Sequence, residues 1–94
     1  MAQPNRIKEI EIKRKMNSYI RNKILLGNKN IGLNDDDSFL ERGLVDSTGV
    51  LEMVNFIEET FGLSIEDEEL IPDNLDSINK LTYFIKKKLR YVNK

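Results

Sequence analysis

The feature that most restricts this chain is the spacing of its apolar residues, which recur every three or four positions and nowhere alternate with polar ones over the length of a strand. One face of a helix repeats at 3.6 residues and one face of a strand at two, so the pattern predicts an all-α domain. A first helix is predicted over about residues 5–26, with Ile12, Met16, Tyr19, Ile20 and Ile24 on its apolar stripe and a stop near Gly27-Asn28. A second is predicted from Ser47 to Phe61, with Val50, Leu51, Val54, Ile57 and Phe61 inward and Gly62 as terminator. A short acidic helical turn at Glu66–Leu70 leads to Pro72, which cannot continue a helix. Asp76 is expected to cap a last helix whose buried face is Ile78, Leu81, Ile85 and Leu89. Three long helices and one short one form a small four-helix bundle around one core. The connection NKNIGLNDDDSFLERGLVD is rich in turn residues, yet Ile31, Leu33, Phe39, Leu40 and Leu44 are too apolar for a free linker, so it is expected to be pinned onto the core.

At 94 residues the chain suits a single domain spanning 1–94, with loose ends at 1–4 and 92–94. No apolar run exceeds Ile24-Leu25-Leu26 or Tyr83-Phe84-Ile85, and MAQPNR carries no hydrophobic stretch, so neither a membrane span nor a secretory signal is expected and the location is read as cytoplasmic. There is no cysteine and no histidine. Disulfides, thiol nucleophiles, thiolate metal sites and the usual general base are therefore excluded, which weakens most enzyme readings and points to a chain that is not an enzyme. The tract NDDDS resembles the start of a calcium loop, but either register puts Phe39 or Val45 where a glycine or a ligand is required, so no metal is expected. Gly43 and Gly49 lack the spacing and the lysine of a phosphate-binding loop.

The net charge of −1 hides a segregation. Residues 1–30 carry net +6, residues 31–79 net −13 and residues 80–94 net +6. The acidic middle reads either as a solvated face or as a docking surface for basic partners. Basic ends without stacking aromatics or a reading motif are a poor basis for nucleic-acid binding, and none is expected.

Ser47 follows an acid at the start of the second helix, in GLVDSTG. Asp and Ser are both favoured helix caps, so the pair alone reads as a helix start. The wider stretch says more. Ser38–Ile65, SFLERGLVDSTGVLEMVNFIEETFGLSI, resembles without a gap the central half of acyl carrier proteins and related peptidyl and D-alanyl carriers. The match rests on Phe39 eight residues before the serine, Gly43-Leu44, Asp46-Ser47, an acidic helix, Phe61 and Ile65.

The resemblance implies that Ser47 carries a 4'-phosphopantetheine arm, added from coenzyme A by a phosphopantetheinyl transferase, with Asp46 as the adjacent motif residue. It implies a free-standing, monomeric carrier holding an acyl or aminoacyl thioester, loaded by a ligase and read by downstream biosynthetic enzymes. Thr48, Glu52, Asn55, Glu58 and Glu59 are then the partner-facing residues. Val54, Ile57, Ile65, Leu70 and Ile71 are core residues first, and a second reading gives them an acyl pocket. A thiol-free chain that handles thioesters must import its sulfur, which accords with the missing cysteine. Thr48, Gly49, Asn55 and the basic first and last helices depart from the family pattern and point to a specialised pathway. A small helical interaction module without a prosthetic group stays open as the alternative.

Overall fold

The computed structural model describes residues 8–26 and 31–92. Helix α1 (Glu9–Tyr19) runs straight into a π-helical turn, Ile20–Ile24; α2 is Ser47–Phe61, a 3₁₀ turn covers Asp67–Glu69, α3 is Pro72–Leu75 and α4 is Ile78–Val92. The described residues contain helices and turns and no strand, as the helical spacing predicted. Val92 closes α4, while residues 1–4 and 93–94 and the expected stop at Gly27-Asn28 lie outside the described residues.

The first helix begins later than predicted. Lys8 is extended (φ −77°, ψ 149°), and residues 5–7 lie outside the described residues. Ile12, Met16 and Ile20 are fully buried, four residues apart, and the next buried position is Leu25, five residues on. That longer step follows from the π turn, in which Leu25 N–H donates to the Ile20 carbonyl at 2.9 Å. The wider turn shifts the phase of the stripe, leaving Ile24 only half-buried. The chain leaves the helix at Leu26, which takes φ +54° and is 80% exposed.

Helix α4 packs along α1 and against α3. Its predicted face of Ile78, Leu81, Ile85 and Leu89 is buried, with Phe84 added, and the Thr82 hydroxyl satisfies itself on the Ile78 carbonyl at 2.8 Å. The expectation that Asp76 caps this helix is corrected. Ser77 Oγ accepts from Lys80 N–H at 3.0 Å in the capping geometry, and Ser77 is buried. The Asp76 carboxylate instead accepts from the Ser38 hydroxyl and, at 2.9 Å, from Leu40 N–H, while its carbonyl accepts from Phe39 N–H at 3.1 Å. One residue thus holds the long connection, and Phe39 enters the core with no exposed surface.

The remainder of that connection is pinned as expected, with Leu33 buried and Ile31 and Leu44 packed on the core; Leu40 is the exception and stays exposed. Its carboxylates are engaged structurally. Asp35 pairs with Lys13 at 2.8 Å, Asp37 with Arg42 at 2.9 Å, and Asp36 accepts from the Asn79 side chain at 2.6 Å. Lys13 is held above its ordinary pKa, chiefly by the hydrogen bond to Asp35. Pro72 occupies the first turn of α3, where its missing N–H costs no hydrogen bond. Glu66 and Glu69 form a reciprocal capping box around the 3₁₀ turn, and Glu69 also pairs with Lys88 of α4 at 2.8 Å.

Candidate functional site

The site is built where the pinned connection meets α2. Arg42 N–H donates to the Ser38 carbonyl, Gly43 N–H to Leu40 and Leu44 N–H to Phe39, which winds residues 38–44 into compact turns. Gly43 takes φ +66°, a conformation glycine adopts without the Cβ clash other residues suffer. Leu44 and Val45 are half-buried and fix the direction in which the chain enters the helix.

Asp46, not Ser47, is the cap. Its backbone is extended (φ −111°, ψ −173°), its Oδ1 accepts from Gly49 N–H at 2.8 Å, and its carbonyl accepts the first helical bond from Val50 N–H at 2.9 Å. Ser47 is therefore the first helical residue. It is exposed, and its hydroxyl makes no hydrogen bond among the described residues. The Ser47 and Thr48 amides are first-turn donors at the positive end of the helix, an environment that favours a negative group attached there by about 0.3–1 kcal/mol. A methyl on Gly49 would stand 3.4 Å from both Asp46 Oδ1 and Val45 Cγ1, so the turn beside the serine is close-packed.

The other end of α2 is set as predicted. Gly62 is left-handed (φ +67°), Gly62 and Leu63 N–H both donate to the Glu58 carbonyl, and Leu63 is buried. Between the ends the buried residues are Met53, Val54 and Ile57, with Val50 and Phe61 half-buried. Leu51, expected on the inward stripe, is 56% exposed. It lies one turn above Ser47 and one below Asn55, and the i, i+4, i+8 spacing places all three along one outward line. Thr48, Glu52, Asn55 and Glu59 are exposed beside that line. Glu58 is half-buried, and its carboxylate accepts from Ile65 N–H at 2.8 Å, so it serves the turn after α2.

Two clefts flank this end of the helix. One, about 150 Å³, is bordered by Val45, Val50, Met53, Leu70, Ile71 and Leu75 and is almost wholly apolar. It includes Leu70 and Ile71 of the five residues expected to line an acyl pocket. Val54 and Ile57 belong to the core, and Ile65 packs half-buried against it. Leu40 also borders the cleft, which accounts for an exposed leucine in a pinned loop. The second cleft, about 260 Å³, lies on the α1 side and is lined by Tyr19, Lys23, Asp46, Gly49 and Glu52. Tyr19 stacks on Phe56 with ring centroids 4.3 Å apart, and burial together with the nearby Glu52 charge raises its phenol pKa.

Leu51 as an outward-facing residue and Val45, Val50, Met53 and Leu75 as the lining of a cleft are not evident from the sequence. The signal available for Leu51 was that a stripe of Val50, Val54, Ile57 and Phe61 is already complete without it. Among the described residues there is no group of three or more His, Cys, Asp or Glu that could hold a metal ion, and no helix is long and apolar enough to cross a membrane.

No curated protein matches this chain. A family model described as the phosphopantetheine attachment site matches residues 25–85, from the end of the π turn through α2 and α3 into α4, with Ser47 inside the matched stretch. With well over half of its length in that match and an all-α arrangement to go with it, the chain belongs to the phosphopantetheine attachment site family, that of the acyl carrier proteins, and its general function is of the acyl-carrier type.

Proposed function

We propose that Ser47 bears the 4'-phosphopantetheine arm, and that this chain carries an acyl or aminoacyl group between partner enzymes as one monomeric carrier domain spanning residues 1–94. The observation that supports this reading best is the division of labour at the start of α2. Asp46 satisfies the helix end at Gly49 N–H, which leaves the Ser47 hydroxyl exposed and without a partner among the described residues. A serine that capped the helix would lose that bond on modification; this one gives up nothing. The arm supplies the thiol that the cysteine-free chain lacks. Its phosphodiester would be held by the first-turn amides of Ser47 and Thr48 and by the positive end of α2.

The outward line of Ser47, Leu51 and Asn55, flanked by Thr48, Glu52 and Glu59, is the surface a partner enzyme reads when it reaches the arm. Acidic side chains there speed encounter with basic partners and are screened easily, which favours quick release. The partners are a phosphopantetheinyl transferase using coenzyme A, a loading ligase of adenylate-forming type and the enzymes downstream. Thr48, Gly49 and Asn55 at positions of contact, together with the basic α1, favour a specialised biosynthetic pathway. The apolar cleft of about 150 Å³ beside Val50 and Leu70 is the size that accommodates one benzene-like group. A short acyl chain or an aminoacyl side chain is of a size with it.

The test is to incubate the purified chain with coenzyme A and a promiscuous phosphopantetheinyl transferase and to record the intact mass. A gain of one phosphopantetheine is expected for the natural sequence and none for Ser47→Ala. The absence of a gain on the natural sequence would overturn the proposal and return the chain to an interaction module without a prosthetic group.

A further inference from the structure

Helix α1 and the π turn after it lie wholly before the family match, which begins at residue 25. Arg14, Ser18 and Asn22 follow one another at four-residue steps, as do Lys15, Tyr19 and Lys23, so these six residues share one side of the helix. Across from them stand Phe56 and Thr60 of α2. Together they line an open trough of about 500 Å³ between the two helices, floored by the stacked Tyr19 and Phe56 rings.

Of the described cations, Lys13, Arg42, Lys86 and Lys88 are held in ion pairs and the others are not. Lys13 pairs with Asp35, Lys86 with Glu9 and Lys88 with Glu69, each at 2.8 Å. Among the described residues Arg14, Lys15 and Lys23 form no ion pair, and all three are exposed. The trough's α2 side is Phe56 and Thr60, and the acidic groups nearest it on α2 are Glu59 and Glu52, the latter lining the adjoining cleft. Glu52, Phe56 and Glu59 share a side of α2 at steps of four and three, and both glutamates are exposed. The trough also runs into the α1-side cleft, with which it shares Tyr19 and Lys23, and that cleft reaches Asp46 and Gly49 beside Ser47. Thr60 lies thirteen positions beyond Ser47 on α2, about 20 Å of helix, a span that one helix of a partner covers.

We propose that this trough docks a helical segment of a partner protein that carries carboxylates on the side facing α1 and ammonium or guanidinium groups on the side facing α2. Charge complementarity selects that occupant. A nucleic acid or an anionic lipid surface would gain Arg14, Lys15 and Lys23 but would meet Glu52 and Glu59 beside the trough, whereas a segment with two charged faces is attracted by both helices and covers the exposed edges of the aromatic floor. Carboxylates against α1 also fix which way round the segment lies, which uniform attraction to an acidic α2 cannot do.

The test uses the Ser47→Ala chain, so that its outcome is independent of any arm. The isotope-labelled protein is titrated with a synthetic helical peptide bearing Glu along one face and Lys along the other, with a scrambled peptide of the same composition as control. Saturable amide shifts are expected at Arg14, Lys15, Ser18, Lys23 and Thr60, weaker by about tenfold or more in the Arg14→Glu/Lys15→Glu double variant and in Lys23→Glu. A peptide with Lys on its formerly acidic face should bind the double variant better than it binds the parent. Unchanged melting of the variants separates lost docking from lost folding, since all three side chains are exposed. Equal binding by the scrambled peptide, undiminished binding by the variants, or no binding would overturn the proposal. So would tighter binding of a DNA oligonucleotide or anionic vesicles to the same residues, or shifts there that appear on concentrating the protein alone, which would assign the trough to a second copy.

Discussion

Replacing Asp46 by alanine removes the hydrogen bond to Gly49 N–H, formed at 2.8 Å, and a negative charge at the positive end of α2. Losing a cap of this kind costs about 1 kcal/mol, and the charge beside the helix end contributes about 0.3–1 kcal/mol at an exposed site. Because the two overlap, the expected loss is about 1–1.5 kcal/mol, which in a domain of this size lowers Tm by about 4–12 °C. Asp46→Asn keeps an acceptor for Gly49 N–H and gives up the charge, so it should lose only the smaller part. Thermal melts followed by circular dichroism measure both variants, and the initial rate of modification by a phosphopantetheinyl transferase is recorded alongside. Ser47 contributes no bond to the helix end, so Ser47→Ala should melt within about 0.5 kcal/mol of the parent, as an exposed substitution does. The reasoning is refuted if Asp46→Ala melts with the parent, if Asp46→Asn is no better than alanine, or if Ser47→Ala is the more damaging change.

Other expected outcomes concern the frame around that site. Asp76→Ala frees the Ser38 hydroxyl and Leu40 N–H from their shared carboxylate and should cost about 2–3 kcal/mol in chemical denaturation, with faster hydrogen exchange at residues 38–44. Leu26 sits at φ +54° with 80% of its surface exposed, so Leu26→Gly relieves a left-handed clash at little loss of burial and should raise the stability by about 0.5–1 kcal/mol. Gly62→Ala places a side chain at φ +67° and should lower it by about 1 kcal/mol, read from the same denaturation curves. For Glu69, burial favours the neutral acid, but hydrogen bonds from Lys88 and from Glu66 N–H outweigh it and hold the carboxyl below its ordinary pKa. A depressed acid stabilises the fold above its unfolded-state pKa and loses that contribution as pH falls through the folded one, so Glu69→Gln should flatten the acid side of the stability–pH curve.

The parts of the fold that were legible in the sequence are those set by neighbouring residues. Asp46 and Gly62 bracket α2 with a cap and a left-handed stop, both local signals, and the helix spans the residues predicted for it. Ser47 is singled out by the resemblance carried by Phe39, Gly43-Leu44 and Phe61, and the structure gives the helix cap to Asp46. Elements decided at a distance were not legible. Asp76 and Ser77 are equally good caps by type, and the choice fell to Ser77 because the Asp76 carboxylate is engaged by Ser38 and Leu40, far back in the chain. Val50 and Leu51, both expected inward, are adjacent on the helix, and the position of α3 and of the pinned loop draws only Val50 inward and leaves Leu51 exposed. The π turn at Ile20–Ile24 carries no residue signature, so the shift of burial from Ile24 to Leu25 had no forerunner in the spacing.

The central claim is that one serine, exposed and unneeded by the fold, is where this carrier receives its arm. The most direct measurement is peptide-level mass spectrometry of the chain after reaction with coenzyme A and a phosphopantetheinyl transferase, with fragmentation that localises the added group. The expected result is a single modification on Ser47, with Thr48, Ser38, Ser64 and Ser77 unmodified. A group placed on any other residue, or a chain that stays unmodified while a known carrier in the same reaction is converted, would contradict it.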